Sequence, residues 1–71
     1  MVAGSAKRLR EAEEIVDELR KALAVMGVTL PSLRVDPVSL ATDARHPLID
    51  LGRCNLDTAA RLAAALRHGH G

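Results

Sequence analysis

Leu9-Arg10-Glu11-Ala12-Glu13-Glu14-Ile15-Val16-Asp17-Glu18-Leu19-Arg20-Lys21-Ala22-Leu23-Ala24-Val25-Met26 is the segment on which the fold turns. Leu9, Ala12, Val16, Leu19, Leu23 and Met26 recur at steps of three and four, with Ile15 and Ala22 beside them. That spacing places all of them on one side of an α-helix of about six turns. No Gly or Pro interrupts Ala6–Met26. Ser5 is the expected N-cap, and Gly27 stands where a left-handed residue closes a helix. Asp17 and Lys21 fall at i, i+4 in the favourable order, and Glu14 and Glu18 form a like-charged pair at the same spacing.

The stripe needs a cover. The 71-residue chain contains no Phe, Tyr or Trp, the side chains that usually bury the most area in a small core. Its interior must be made from Leu, Val, Ile and Ala. Chains this short commonly add disulfides, a structural metal or a second subunit. The single Cys54 excludes an internal disulfide. A second copy of the chain is therefore the expected reinforcement, with Leu9, Val16, Leu19, Leu23 and Met26 as its interface.

Beyond Gly27 the pattern shifts. From Ser32 to Val38, Leu33 and Val35 alternate with Arg34 and Asp36, which predicts a short half-buried strand stopped by Pro37. Ser39–Pro47 reads as a loop or a long hairpin connection. Leu48–Cys54 offers a second strand, with Ile49 and Leu51 inward, Asp50 outward and a bulge expected at Gly52. Arg34 with Asp50, or Asp36 with Arg53, would then pair across the strands. Asn55 or Asp57 caps a last helix whose apolar face is Leu56, Ala59, Leu62, Ala63 and Leu66. Ala60, Ala64 and Ala65 keep it slim and suit it to pack on the first helix. The expectation is one α+β domain over residues 1–71. Its order is helix, strand, strand, helix, it is dimeric, and residues 1–4 and 68–71 are flexible.

Charge and composition exclude more than they identify. Ten Lys and Arg stand against nine Asp and Glu, far from the basic excess of a domain built to grip a phosphate backbone. No stretch reaches the roughly 20 apolar residues of a membrane span, and Met1–Arg10 lacks the apolar centre of a signal peptide. A cytoplasmic location is expected. Cys54, His46, His68 and His70 lack the paired spacing of zinc ligands. Cys54 precedes a helix N-terminus and adjoins Arg53, but nothing in the sequence orients His46 as its base. Neither a cofactor signature nor a catalytic set is present. Arg45, Arg53, Arg61 and Arg67 with His68 are the candidate phosphate-contacting surface, without a recognition-helix signature.

Gly27–Pro37, together with Pro47–Cys54 and the Ala/Leu helix after it, resembles small uncharacterised proteins of actinomycete bacteria. The resemblance covers about half the chain and carries no motif of known chemistry. It implies a bacterial cytoplasmic accessory or regulatory protein, and no functional residue follows from it. The reading is a non-enzymatic homodimeric interaction or regulatory module. Arg34, Arg45, His46 and Arg53 are its exposed groups most open to another protein. The alternatives are a nucleic-acid-binding dimer using surface arginines, and a ligand- or metal-binding domain around Cys54 and His46.

Overall fold

The computed structural model describes the backbone of residues 3–68 and the side chains of residues 6–68. The first helix, α1, runs Ala3–Val25. It begins two residues before Ser5, so Ser5 lies inside the helix and not at its cap. Its end is where the glycine placed it. Gly27 takes φ 73°, the Val28 N–H donates to the Leu23 carbonyl at 2.9 Å, and the Gly27 N–H donates to the Ala24 carbonyl at 3.0 Å. These two bonds close a Schellman motif and use up carbonyls that a helix end leaves free. Asp17 and Lys21 pair at 2.9 Å, and this carboxylate contact raises the Lys21 pKa above its ordinary 10.5.

The reversal turns the chain back along α1. Val28 and Leu33 become buried there, as do Ala12 and Val16 on the helix. Arg20 fastens the returning segment, its Nη2 donating to the Leu33 carbonyl at 2.7 Å. Among the described residues these four side chains are the whole buried apolar core. It contains nothing larger than Leu.

Two short strands follow, β1 at Arg34–Val35 and β2 at Ile49–Asp50, paired antiparallel with Arg34 opposite Asp50 and Val35 opposite Ile49. Leu33 is buried, Val35 half-buried and Arg34 exposed, as the alternation requires. Arg34 Nε stands 3.7 Å from Asp50 Oδ2, one of the two cross-strand pairings expected. The strands are shorter than Ser32–Val38 and Leu48–Cys54. Pro37 stops the first by removing a donor and fixing φ near −65°.

Pro37 then does a second thing. It opens a helix, α2, over Pro37–Thr42, where a loop from Ser39 was expected. Asp36 is the N-cap, its Oδ1 accepting from the Val38 N–H at 3.1 Å, and Pro sits at a position that wants no donor. Val38 is therefore helical and exposed, not a strand residue.

After β2 the chain bends at Gly52, with φ 75°. A Cβ there would lie 2.5 Å from Ser32 Cβ and 3.1 Å from the Ser32 carbonyl carbon. The expected bulge is instead a left-handed turn passing close over Ser32, supported by the Gly52 N–H donating to Asp50 Oδ1 at 2.8 Å. The last helix, α3, spans Leu56–His68. Asn55 caps it, Oδ1 accepting from the Thr58 N–H at 2.8 Å. His68 is helical, and of the termini expected to be flexible, residues 1, 2 and 69–71 lie outside the described residues.

The two left-handed glycines should respond differently to substitution. Gly27→Ala meets open space and should cost about 1–2 kcal/mol from backbone conformation alone. Gly52→Ala adds the collision with Ser32 and should cost more than Gly27→Ala. Urea unfolding of the two variants checks the order.

Candidate interaction surface

The single stripe expected on α1 divides in two. Ala12 and Val16 are buried against the returning chain, and Leu9 and Leu23 are half-buried. Ile15, Leu19, Ala22 and Met26 form a second row, at i, i+4, i+7 and i+11. It is rotated by roughly 80° from the first at 100° per residue. Leu19 is half-buried, whereas Ile15, Ala22 and Met26 are exposed. Of the five interface residues expected, Val16 is only 4 % exposed inside the single chain and belongs to the core.

Facing this second row is α3, and the helix covers it only in part. Leu19, Ala22, Leu23 and Met26 of α1 and Leu62, Ala65 and Leu66 of α3 line an open groove of about 300 Å³. Every lining side chain is apolar. No residue of α3 is buried. Its half-buried residues are Thr58, Leu62, Ala64 and Ala65, while Leu56, Ala59, Ala63 and Leu66 are exposed. The expected apolar face of α3 thus points largely away from the rest of the chain, with Leu62 half-buried and Leu66 reaching the groove beside α1 while it stays mostly exposed. At the other end of the row, Ile15 lines a second cleft with Leu48, Pro47, Arg8, Arg45 and His46.

The polar groups are concentrated around α2. Ser39 is buried, its Oγ donating to the Asp36 carbonyl at 2.7 Å and accepting from the Leu48 N–H at 3.0 Å. The Asp36 N–H donates to the Leu48 carbonyl at 2.9 Å. One hydroxyl therefore locks α2 onto the approach to β2. In the loop that follows, His46 Nδ1 lies 2.8 Å from Asp43 Oδ2. An ionised carboxylate only accepts, so that nitrogen carries the proton. The Arg45 N–H donates to Asp43 Oδ1 at 3.1 Å. The His46 contact, then the Arg45 backbone bond, lower the Asp43 pKa from 3.8 by stabilising the ionised form.

Of the four residues expected to face a partner, Arg45 and His46 come together on this loop, with Arg8 across the cleft. Arg34 is on a different face, paired with Asp50, and Arg53 is exposed after β2. Arg45 stands 3.6 Å from Asp43, and Arg61 stands 3.4 Å from Asp57. Cys54 is an exposed thiol. Among the described residues no group of three or more His, Cys, Asp and Glu side chains is placed to hold a metal ion. No described helix is long and apolar enough to cross a membrane. Asp36, Ser39 and Arg20, which fix the geometry, were missed by sequence reasoning. The Asp-Pro-x-Ser order was the available signal for the first two. The chain matches no protein-family model, no curated protein and no solved structure.

Two consequences are measurable. Ser39→Ala leaves the Leu48 N–H without its partner, removes one of the two bonds to the Asp36 carbonyl, which keeps the Leu40 N–H at 3.4 Å, and should cost about 1–3 kcal/mol in urea unfolding. The Asp43 carboxyl, followed by carbon-13 chemical shift, should titrate below 3.8 and return toward it in His46→Ala. Its contribution to loop stability is present above the unfolded value and disappears as pH falls through the lower folded one.

Proposed function

We propose that this chain is a non-enzymatic interaction module that works as a homodimer and docks another protein, in a regulatory or adaptor role. Surface area is the observation that carries the reading. The chain exposes 5542 Å², whereas a compact monomer of its 7.6 kDa mass exposes about 4,300 Å². The excess, about 1,200 Å², is more than the ~800 Å² each partner hides in a standard interface. Chain dimensions agree, with a radius of gyration of 14.1 Å against about 11 Å for a compact domain of this length.

Leu19, Leu23 and Met26 supply the association face, together with the groove wall on α3, and Leu9 lies at the edge of the core row. Arg45 and His46, with Arg8 opposite, are the groups best grouped to meet a second macromolecule. Arg34 and Arg53 are spread over other faces. A nucleic-acid role has less behind it. Arg34, Arg45 and Arg61 each face a carboxylate within 3.7 Å, and the net charge is only +1.

Light scattering tests the assembly. The wild-type chain is expected at twice its 7.6 kDa mass at high micromolar concentration. Met26→Glu places a charge in the groove without touching the buried core, and should weaken association by about tenfold or more while far-ultraviolet circular dichroism is unchanged. A wild-type chain that remains at single-chain mass overturns the reading.

A further inference from the structure

Apolar contact alone seats α3 on the rest of the molecule. Its polar bonds close on its own segment. Asn55 Oδ1 accepts from the Thr58 N–H, the Asn55 carbonyl accepts from the Ala59 N–H, and Asp57 pairs with Arg61. Among the described residues no hydrogen bond or ion pair joins α3 to α1, β1, α2 or β2. The buried core draws on Ala12, Val16, Val28 and Leu33 and on nothing in α3. What holds the helix is Leu62, Ala65 and Leu66 against Leu19, Ala22, Leu23 and Met26, and Leu66 is still 61 % exposed.

The connection to β2 is fixed at one end and slack at the other. Gly52 is held by its N–H bond to Asp50 and by its close passage over Ser32. Arg53 and Cys54, the next two residues, are exposed and make no hydrogen bond among the described residues. A pivot therefore lies between a pinned turn and a helix that carries its own cap.

We infer that α3 is a hinged wall of the groove, leaving and reseating on α1 by turning at Arg53–Cys54 while the core and the strand pair stay closed, and that its seating controls the association face. The inference rests on the dimer reading above and adds what regulates it. Regions that share few buried contacts with a core open at a lower free energy than the core itself. The groove exists only while α3 is seated, since three of its seven lining side chains belong to that helix. A second copy that binds the groove binds the seated form alone. Its apparent dissociation constant is then the intrinsic one divided by the seated fraction, and association in turn holds α3 in place. Once off the groove, a helix of 13 residues is too short to persist in water. Undocking therefore also bares the α3 amides.

Hydrogen exchange read by mass spectrometry tests the hinge. In the dilute, dissociated chain the α3 amides should exchange at least about 100-fold faster than those around Ala12–Val16, and their protection should rise as the chain associates. Asn55→Ala removes an exposed cap that touches neither groove nor core. It should speed α3 exchange roughly fivefold and leave α1 exchange unchanged. Exchange of α1 and α3 in step, with both speeded equally by Asn55→Ala, overturns the hinge and leaves the dimer reading standing. A chain that dimerises without any added protection of α3 overturns the control of association. A chain that stays monomeric overturns the dimer reading and that control together.

Discussion

The turn at Gly27 is the constraint from which the rest of the molecule follows. An α-helix of 23 residues has no tertiary partner unless the chain after it comes back. The left-handed glycine and the paired bonds to Leu23 and Ala24 send it back at once. Val28 is then placed on α1 as the first buried residue of the return. Arg20, by binding the Leu33 carbonyl, fixes how far along the helix the returning segment lies. The register of the two short strands depends on that placement. Their ladder alone is too small to hold itself, since an isolated two-stranded hairpin is marginal in water.

The same economy explains why the strands stop so soon. Asp36 and Pro37 form a junction that ends a strand and begins a helix within two residues. Alternation at Leu33, Arg34 and Val35 dominates the sequence reading there, and it is correct for those three. It cannot report that the next side chain is used as a cap, because Asp36 continues the polar phase whether the chain is extended or helical. Ser39 was hidden for a related reason. A serine in a polar stretch reads as loop until a backbone donor from nine residues away, that of Leu48, is seen to end on its hydroxyl.

Two of the three helices were legible, α1 at its Gly27 end and α3 at its Asn55 end, because capping chemistry is local, whereas α2 read as strand and loop. The Arg34–Asp50 pairing was legible as well, since it needs only two strands in register. What each helix face touches was not. Periodicity reports that a face is apolar, and the face of α1 contains two rows that serve different neighbours. Val16 enters the core and Met26 does not, although both fit one stripe on a helical wheel. For α3 the same limit is sharper. Leu62 and Leu66 are one turn apart, yet Leu62 turns inward while Leu66 is mostly exposed. Only the position of α3 beside α1 separates them, and that is set by the Gly52 turn over Ser32, a long-range contact with no local signature.

A core of Ala12, Val16, Val28 and Leu33 ties the stability of this molecule to what covers its remaining apolar surface. Aromatic side chains would have let one chain enclose more of α1, and none is present. The two rows on α1 and the outer stripe of α3 are therefore connected physically. α3 buries no residue of its own, and Leu56 and Leu66 stay exposed on it. A second copy over that apolar surface, as proposed above, would link folding to association and make the unfolding midpoint rise with protein concentration. The interaction surface is then not an addition to a finished fold but the part of the fold that a single chain leaves open.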